Sequence, residues 1–363
     1  MLLDTLVRNV LDAGPMPFED FMEACLYDPS GGFFATGPLR STEAGDFLTS
    51  PEVSPWFGTA IARYVLDRQR SIAVADLTLV EVGAGSGSLL GPLLAGLEPS
   101  PGVVGEVWAV DASPAARRAL GSIEGIDHVV ASLTEVPETF DGVVVANELL
   151  DNLPVALALR TASGWEERWV GVVSEGSDPP RLELVPTPVR PDVAAWADAH
   201  GGVVGEGGMV EVQLAASAWV EAAVGRIRRG AVVVFDYGGT AEELEPRRTQ
   251  GTLRTYRNHH LGPDPLVAPG ETDVTVDVNF TAMAAAAEAA GASVRILRQD
   301  DFLVELGLRH EISELRRREL ELAAAGPTSA MERLVVRSEL TGAETLLHPR
   351  GLGDFRVLLA EKP

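Results

Sequence analysis

The sequence contains very little cysteine, and this excludes two kinds of architecture. Cys25 is the single cysteine among 363 residues, so no intramolecular disulfide can form. The six histidines are scattered and lack the spacing of metal ligands. We therefore expect neither a disulfide framework nor a metal site, and we interpret Cys25 as a small core residue in a protein of a reducing compartment.

Long apolar runs are also missing. No segment approaches the roughly 20 consecutive apolar residues that a membrane-spanning helix needs. The N-terminal stretch lacks the basic start, the continuous apolar centre and the small-residue cleavage site of a secretion signal. With 46% hydrophobic and 23% charged residues, the composition is typical of a soluble globular protein. These features predict a cytoplasmic protein that does not insert into a membrane.

Positive charge is scarce as well. Lysine and arginine number 29 against 53 acidic residues, which leaves a formal net charge of -24. Such a surface repels the phosphates of nucleic acids and favours cationic partners. We therefore expect no nucleic-acid substrate, with the alternative that the acidity serves only solubility.

What the sequence does contain is an alternation of strand and helix signals. The apolar runs LTLVEVG, EVWAV, HVVAS and DGVVVANE are separated by helical patterns, as in a parallel sheet that is buried on both faces. LALRTASG, WEERWVGVVS and RLELVPTP then predict antiparallel strands, before GAVVVFDYG returns to a buried parallel strand. The expected fold class is α/β, with an N-terminal helical extension and an inserted α+β region.

The same patterns suggest four regions and several further elements. Helices are expected over 1–27 and 213–228, in TAMAAAAEAA before Gly291, and in EISELRRRELELAAA, with DFRVLLAEK as the last strand. The stretch 28–55 is rich in glycine and proline but also carries aromatic residues, which favours an ordered binding segment. The predicted regions are a helical or lid segment (1–70), a cofactor-binding half (71–155), an inserted substrate region (156–225) and a second half (226–363) that contains an inserted loop (239–280).

A glycine-rich turn follows the first strand of the predicted sheet. In VEVGAGSGS, Gly83, Gly85 and Gly87 flank Ala84 and two serines. A strand that turns through glycines into a helix offers free backbone amides to a nucleotide-like ligand. The Gly-x-Gly-x-Gly spacing disfavours NAD, whose fingerprint places its third glycine one residue later. Glu81, an acid just before the turn, suits the cationic cofactor S-adenosylmethionine.

A second acid strengthens this interpretation. Asp111 follows the next strand, where a carboxylate can accept hydrogen bonds from both ribose hydroxyls of a nucleoside. Ala112 comes directly after it, and Ser132 and Leu133 follow the third strand, where an adenine-contacting loop is expected. The alternative is that the glycines form only a tight turn and that Asp111 only precedes a helix.

Acidic and amide side chains also follow the fourth strand. DGVVVANELLDNLPV places Asn147, Glu148, Asp151 and Asn152 beside the expected cofactor edge. Paired carboxylates can grip the planar guanidinium of an arginine and fix which nitrogen faces a methyl group. Glu148 and Asp151 are therefore the candidates to orient a cationic acceptor. The alternative is that these acids only stabilise the start of a helix.

Five blocks of the sequence resemble, in the same order, the MidA family of S-adenosylmethionine-dependent methyltransferases. They are GDFLTSPEVSPWFG, LVEVGAGSGSL, ANELLDNLPV, VVFDYG and DPLVAPGETDVTVDVNF, and the resemblance spans roughly residues 15 to 310. It implies a class I, Rossmann-like methyltransferase fold. Because mitochondrial members of this family are complex I assembly factors, it also implies arginine dimethylation on a complex I subunit.

The resemblance extends to individual residues. Gly83, Gly85 and Gly87 match the family's cofactor loop, Asp111 stands where Glu is common, and Asn147, Glu148 and Asp151 match an Asn-Glu-x-x-Asp block. The N-terminal signature of the family matches Asp46, Thr49, Ser50, Pro51 and Glu52. This implies that Asn147, Thr49, Ser50 and Pro51 contribute to the cofactor site and that Glu52 joins the catalytic acids. Departures from the family pattern occur at Asn279 and around Asn258 to His260 and leave the acceptor open.

Three functions remain open from the sequence. The first is a metal-independent protein arginine methyltransferase, which would use a protein as its acceptor. The sequence leaves open whether the protein forms a homodimer. The second is a small-molecule methyltransferase of a biosynthetic pathway. The third is an assembly chaperone that binds the cofactor without catalysis. Asp236 and Tyr237 at the end of a strand, and His259 and His260 in an irregular stretch, are further candidates for either a functional or a purely structural role.

Overall fold

The computed structural model describes residues 2–36, 39, 49–100, 102–174, 180–257 and 260–363. Three residues that the sequence singles out, Asp46, Asn258 and His259, lie outside these ranges. In the described part of the chain the helices, numbered in chain order, are α1 Leu2–Ala13, α2 Phe18–Tyr27, α3 Ser50–Val53, α4 Trp56–Ile72, α5 Leu90–Leu97, α6 Pro114–Leu120, α7 Pro191–His200, α8 Leu214–Arg226, α9 Ala241–Leu244, α10 Phe280–Ala289, α11 Gln299–Glu305, α12 Leu308–Ala324 and α13 Ala330–Leu346.

The strands of the described residues range in length from 2 to 10 residues. They are β1 Met16–Pro17, β2 Leu77–Val82, β3 Val104–Val110, β4 His128–Val130, β5 Phe140–Asn147, β6 Ala156–Thr161, β7 Gly164–Val173, β8 Arg181–Pro188, β9 Met209–Val212, β10 Ile227–Asp236, β11 Gly238–Gly239, β12 Arg254–Arg257, β13 His260–Leu261, β14 Asp273–Thr275, β15 Val278–Asn279, β16 Ser293–Arg298 and β17 Arg356–Lys362.

The central sheet has the strand order β16-β17-β10-β5-β2-β3-β4 within the described residues. The strands from β10 to β4 pair in parallel, whereas β17 is antiparallel to both of its neighbours, β10 and β16. The middle strands are apolar along nearly their whole length because helices cover both faces of the sheet. The predicted class I methyltransferase architecture is confirmed.

All strands of a second, antiparallel sheet except β1 lie between β5 and β10 in the sequence. It contains β1, β7, β6 and β9 in that order, with β8 paired to the other side of β7. Its apolar side chains share one cluster with the two N-terminal helices, including Phe21 of α2 and Val170 of β7. Arg190 links the same two parts, because its guanidinium donates to both Glu19 and Glu167. The expected inserted α+β region is therefore present and supports the N-terminal helices.

Several elements differ from the sequence expectation. Residues 2–27 form two helices instead of one, because Pro15 and Pro17 flank a break that places β1 on the inserted sheet. The predicted helix over 213–228 ends at Arg226, where β10 begins. The sequence patterns predict neither α7 nor α13. Helix α13 forms a hairpin with α12 and packs against α3 and α4.

Candidate active site

A cavity of about 1000 Å³ opens at the carboxyl edge of the parallel strands. The segments that follow β2, β3, β4, β5 and β10 all contribute to its wall, as expected for ligand sites in open α/β sheets. One end of the cavity is built mainly from backbone and glycines, and we call it the glycine end. The other is built from carboxylates, and we call it the acidic end.

The glycine turn after β2 has the backbone that only glycine adopts readily. The φ angles of Gly83, Gly85 and Gly87 are 73°, 53° and 81°. Gly83, Ala84 and Gly85 line the cavity, but Gly87 does not. A Cβ atom at Gly87 would lie 2.1 Å from the Cδ1 of Ile123, so this glycine permits close packing beneath the loop.

Asp111 joins the glycine turn to the next loop. Its Oδ2 accepts a hydrogen bond from the Gly85 amide at 2.8 Å, and its Oδ1 accepts one from the Ser113 amide at 2.7 Å. Burial raises the pKa of Asp111, and these two amide hydrogen bonds oppose the rise. Asp111 and Ala112 both line the cavity.

The loop after β4 closes the glycine end. Ser132 caps a 3₁₀ turn, Leu133–Glu135, by accepting a hydrogen bond from the Thr134 amide at 3.2 Å. Ser132 and Leu133 both line the cavity, and Leu133 is buried. The structure thus places both residues in the wall, beside the glycine turn and Asp111.

Glu81 lies in β2 beneath the glycine turn and faces the cavity. It is 4% exposed, and burial, followed by the charge of Asp111, raises the pKa of its carboxyl well above the usual range. Its Oε2 has no hydrogen-bond partner among the described residues. A buried acceptor without a donor costs about 1–3 kcal/mol, so this atom indicates a ligand that carries a hydrogen-bond donor.

The acidic end begins at Glu148, whose backbone is strained. Its φ is 50°, in the left-handed region that costs a non-glycine residue about 1–2 kcal/mol. The Glu148 amide donates to the Phe235 carbonyl at 2.8 Å, and the Asn147 side-chain amide donates to the Glu148 carboxylate at 3.2 Å. Burial and the neighbouring Asp151 raise the pKa of Glu148 to about 8. Asn147 and Glu148 both line the cavity.

Further carboxylates surround Glu148. Asp151, Asp236 and Asp273 are each less than 5% exposed, and Asp151 and Asp273 line the cavity. Burial, reinforced by the charge of Asp151, raises the pKa values of Asp236 and Asp273 well above the usual range. In the described part of the chain, none of these carboxylates forms an ion pair. Arg247 and Arg254 also line the cavity, but both pair with Asp277 instead.

The predicted N-terminal signature lies beside this end. Thr49 and Pro51 line the cavity, whereas Ser50 is buried and its hydroxyl is hydrogen-bonded to the Gln299 side chain. Glu52 is not in the cavity wall. Its Oε2 accepts from the Thr49 amide at 3.0 Å and thereby caps α3, and its charge raises the pKa of Glu148. The structure therefore brings Thr49 and Pro51 to the cavity and places Ser50 and Glu52 behind it.

Some of the residues at the acidic end were absent from the predicted site. Asp273 comes from the block DPLVAPGETDVTVDVNF, and Asn152 donates to its Oδ1 at 2.7 Å. Tyr27 of α2 also lines the cavity and donates to the Asn152 carbonyl at 3.4 Å. The sequence feature that could have identified Asp273 as a site residue is its place in an acid-rich block of a predicted irregular segment. Asn279 in the same block instead caps α10, and His260 is exposed.

The cavity fits a donor-bearing cationic ligand. Glu81, Asn147 and Asp151 line it, and each has a buried acceptor atom without a partner among the described residues. S-adenosylmethionine carries an ammonium and a sulfonium, and its adenosine carries hydroxyls suited to Asp111. No group of three potential metal ligands occurs among the described side chains. No helix in the described ranges is long and apolar enough to cross a membrane.

Comparison with known proteins agrees with this geometry. Residues 60–297 match the family model of S-adenosyl-L-methionine-dependent methyltransferases. A crystal structure from Burkholderia thailandensis, bound to S-adenosyl-homocysteine, superposes with a TM-score of 0.84 at 30% identity and covers 99% of this chain and 92% of that one. A native crystal structure from the same organism gives a TM-score of 0.82, also at 30% identity, over 99% of this chain and 91% of that one.

Curated relatives are more distant in sequence. The mouse and human proteins named protein arginine methyltransferase NDUFAF7, mitochondrial, are 27% and 26% identical. Each alignment covers 97% of this chain and 82% and 81% of the relatives, respectively. The predicted family and cofactor are thereby confirmed. This chain belongs to the MidA family of S-adenosylmethionine-dependent methyltransferases.

Proposed function

We propose that this methyltransferase modifies an arginine side chain of a protein, either a subunit of complex I type or another protein. The observation that carries the proposal is the acidic end of the cavity, where Glu148, Asp151 and Asp273 lie without a basic partner among the described residues. Burying unpaired carboxylates is costly, and a cationic acceptor removes that cost. The names of the mouse and human relatives also favour arginine.

The chemistry divides between the two ends. The glycine end, with Glu81 and Asp111, would hold S-adenosylmethionine, which supplies an electrophilic methyl group when bound. Glu148 and Asp151 would hold the guanidinium and orient one nitrogen toward that methyl group. The nitrogen loses a proton when it is methylated. Glu148, with a pKa of about 8, is suited to accept this proton and pass it to solvent.

The test is a transfer assay with methyl-labelled S-adenosylmethionine. The purified enzyme is incubated with a cell lysate and, separately, with purified complex I subunits, and labelled proteins are hydrolysed to identify the modified amino acid. We expect labelled methylarginine with the wild type and none with Glu148→Gln. Glu321→Gln is the matched control, because Glu321 only forms an exposed ion pair with Arg317. Label confined to metabolites, or found on another amino acid, would overturn the proposal in favour of a different acceptor.

A further inference from the structure

Asp151 is held differently from the other acids of the cavity. Its Oδ2 accepts a hydrogen bond from the Thr275 hydroxyl at 2.8 Å and another from the Tyr237 hydroxyl. The two hydroxyl oxygens also contact each other. Its Oδ1, by contrast, is buried and has no hydrogen-bond partner among the described residues. One oxygen of Asp151 is thus saturated with donors, whereas the other is buried without a partner, in a residue that belongs to the cavity wall.

The backbone around these three residues is fixed. The Val276 amide donates to the Asp151 carbonyl at 3.1 Å, and the Val278 amide donates to the Tyr237 carbonyl at 3.0 Å. The ring of Phe355 packs edge-on against Tyr237, with 5.7 Å between the ring centroids. Neither hydroxyl can therefore turn away easily, and the carboxylate plane of Asp151 is set by two donors from different segments.

We propose that Tyr237 and Thr275 are positioning residues that keep Asp151 ionised and present its free oxygen to the acceptor, while Glu148 handles the proton. Both hydroxyls favour the charged form of the carboxylate, since each can donate to it. The inference rests on the proposed function, because it assigns different roles to the two acids that hold the guanidinium.

The electrostatics of the cluster support this division. Burial raises the pKa of Asp151, and the hydrogen bonds from Tyr237 and Thr275 oppose that rise. Burial and then the charge of Asp151 raise the pKa of Tyr237 well above its usual range, so its hydroxyl stays a donor. The acids around Asp151 are Glu148, Asp236 and Asp273, together with the phenol of Tyr27. Arg254, whose charge interacts with Tyr237, also lines the cavity but pairs with Asp277. The backbone amides of Asp151 and Asn152 also lower this pKa, so removing a hydroxyl donor weakens the support for the ionised form of Asp151 without abolishing it.

The test compares Tyr237→Phe and Thr275→Val with the wild type over a range of pH. At neutral pH we expect kcat/KM for an arginine substrate to fall about 10-fold to 100-fold, the usual effect of losing a hydrogen bond to a charged group. The ratio of kcat/KM of the variant to that of the wild type should rise toward one as the pH rises, because Asp151 then ionises even without the lost hydrogen bond. Thr275→Ser, which keeps a hydroxyl, should restore activity, and S-adenosylhomocysteine affinity should stay unchanged throughout.

Tyr64→Phe is the matched control. It also removes a buried phenol that donates to a carboxylate, Glu361, but at a site outside the cavity wall. A deficit in the cavity variants that is the same at every pH, or an equal loss in Tyr64→Phe, would overturn the proposal and indicate a structural role only.

A second readout does not depend on the acceptor. Carbon-13 labelling of the aspartate carboxyls, with Asp151→Asn to assign the resonance, reports the ionisation of Asp151 directly in the full chain bound to S-adenosylhomocysteine. We expect an ionised carboxylate near neutral pH in the wild type and a protonated one in Tyr237→Phe. An Asp151 that titrates identically in both proteins would overturn the inference. Failure of the wild type to methylate arginine would instead overturn the proposed function.

Discussion

The two ends of the cavity are built in different ways. At the glycine end the ligand-facing groups come from short turns that each follow a parallel strand, and Asp111 is fixed by the backbone amides of Gly85 and Ser113. At the acidic end, side chains from distant segments hold one another, as in the contact between Thr275 and Asp151, which are 124 residues apart. A backbone-built site depends on the fold, whereas a side-chain-built site depends on particular residues.

This difference separates the general from the specific part of the enzyme. Backbone amides and a ribose-binding acid suit a cofactor that many methyltransferases share. Unpaired buried carboxylates destabilise the protein unless a cation or a proton neutralises them. We therefore propose that acceptor specificity resides at the acidic end. Changes at the two ends should accordingly affect different measurements.

The largest effect is expected at the glycine end. In Gly85→Val, a β-branched residue must adopt a φ of 53° at a position in the cavity wall. We expect S-adenosylhomocysteine binding, measured by calorimetry, to weaken by at least about 100-fold, and methyl transfer to be lost with it. Gly326→Val is the control, because Gly326 has a φ of 88° but open space around it. An equal loss of binding in both variants would show that general destabilisation of the protein, and not a change in the cavity, causes the effect.

The next effect belongs to the acidic end alone. Glu148→Gln keeps the shape of the side chain but removes its charge, so we expect kcat/KM for the acceptor to fall at least about 100-fold. Calorimetry should show unchanged affinity for S-adenosylhomocysteine, in contrast to the loss of affinity expected for Gly85→Val. If cofactor affinity falls in parallel with activity, the two ends do not act separately.

The pH dependence of the wild type sharpens the role of Glu148. Because its pKa is about 8, this carboxyl is protonated below that pH and cannot grip a cation. We expect kcat/KM for the acceptor to decline by about tenfold per pH unit below pH 8, the slope of a single ionisation. The binding of S-adenosylhomocysteine should change much less over the same range. A kcat/KM that is constant between pH 6 and 8 would show that Glu148 does not bind the acceptor.

A smaller effect is expected at Asp111. Asp111→Asn keeps one acceptor oxygen but weakens both the ribose contact and the link to Gly85. We expect affinity for S-adenosylhomocysteine to fall about 10-fold, from the loss of charge-assisted hydrogen bonds. The exposed residue Asp192 provides the control variant, Asp192→Asn. Normal cofactor affinity in Asp111→Asn would refute the ribose assignment.

The smallest effect concerns stability. The folded-state pKa of Glu148 is raised, so protonation favours the folded protein, and this contribution is lost as the pH rises through about 8. Glu148→Gln should therefore have a higher Tm than the wild type at pH 8, and the difference should shrink toward pH 5. Thermal unfolding of both proteins across this range provides the measurement. A variant that is less stable at pH 8 would show that the carboxylate is well accommodated without a ligand.

The sequence predicted the glycine end better than the acidic end for a physical reason. The turn after β2 and the acid after β3 are local patterns, so Gly83, Gly85 and Asp111 could be placed from spacing alone. Asp273, at the start of β14, and Tyr27, at the end of α2, reach the acidic end only through tertiary packing. Glu52 shows that a match to a family motif does not fix the place of a side chain. This acid caps α3 instead of lining the cavity.

The fold shows the same division between local and tertiary signals. Apolar runs identified the central strands, and alternating patterns identified β6, β7 and β8. Helix α13 has long exposed stretches and few buried residues, so its weak periodicity gave little signal. The break at β1 follows from its prolines, but its pairing with β7 depends on residues more than 150 positions away.

The most direct test of the two-ended cavity is a crystal structure with S-adenosylhomocysteine and an arginine-containing peptide. We expect the adenosine to lie against Asp111 and the glycine turn. The guanidinium should contact Glu148 and Asp151, with the reacting nitrogen facing the sulfur. A guanidinium bound outside the acidic end, or an acidic end filled by the cofactor itself, would contradict it.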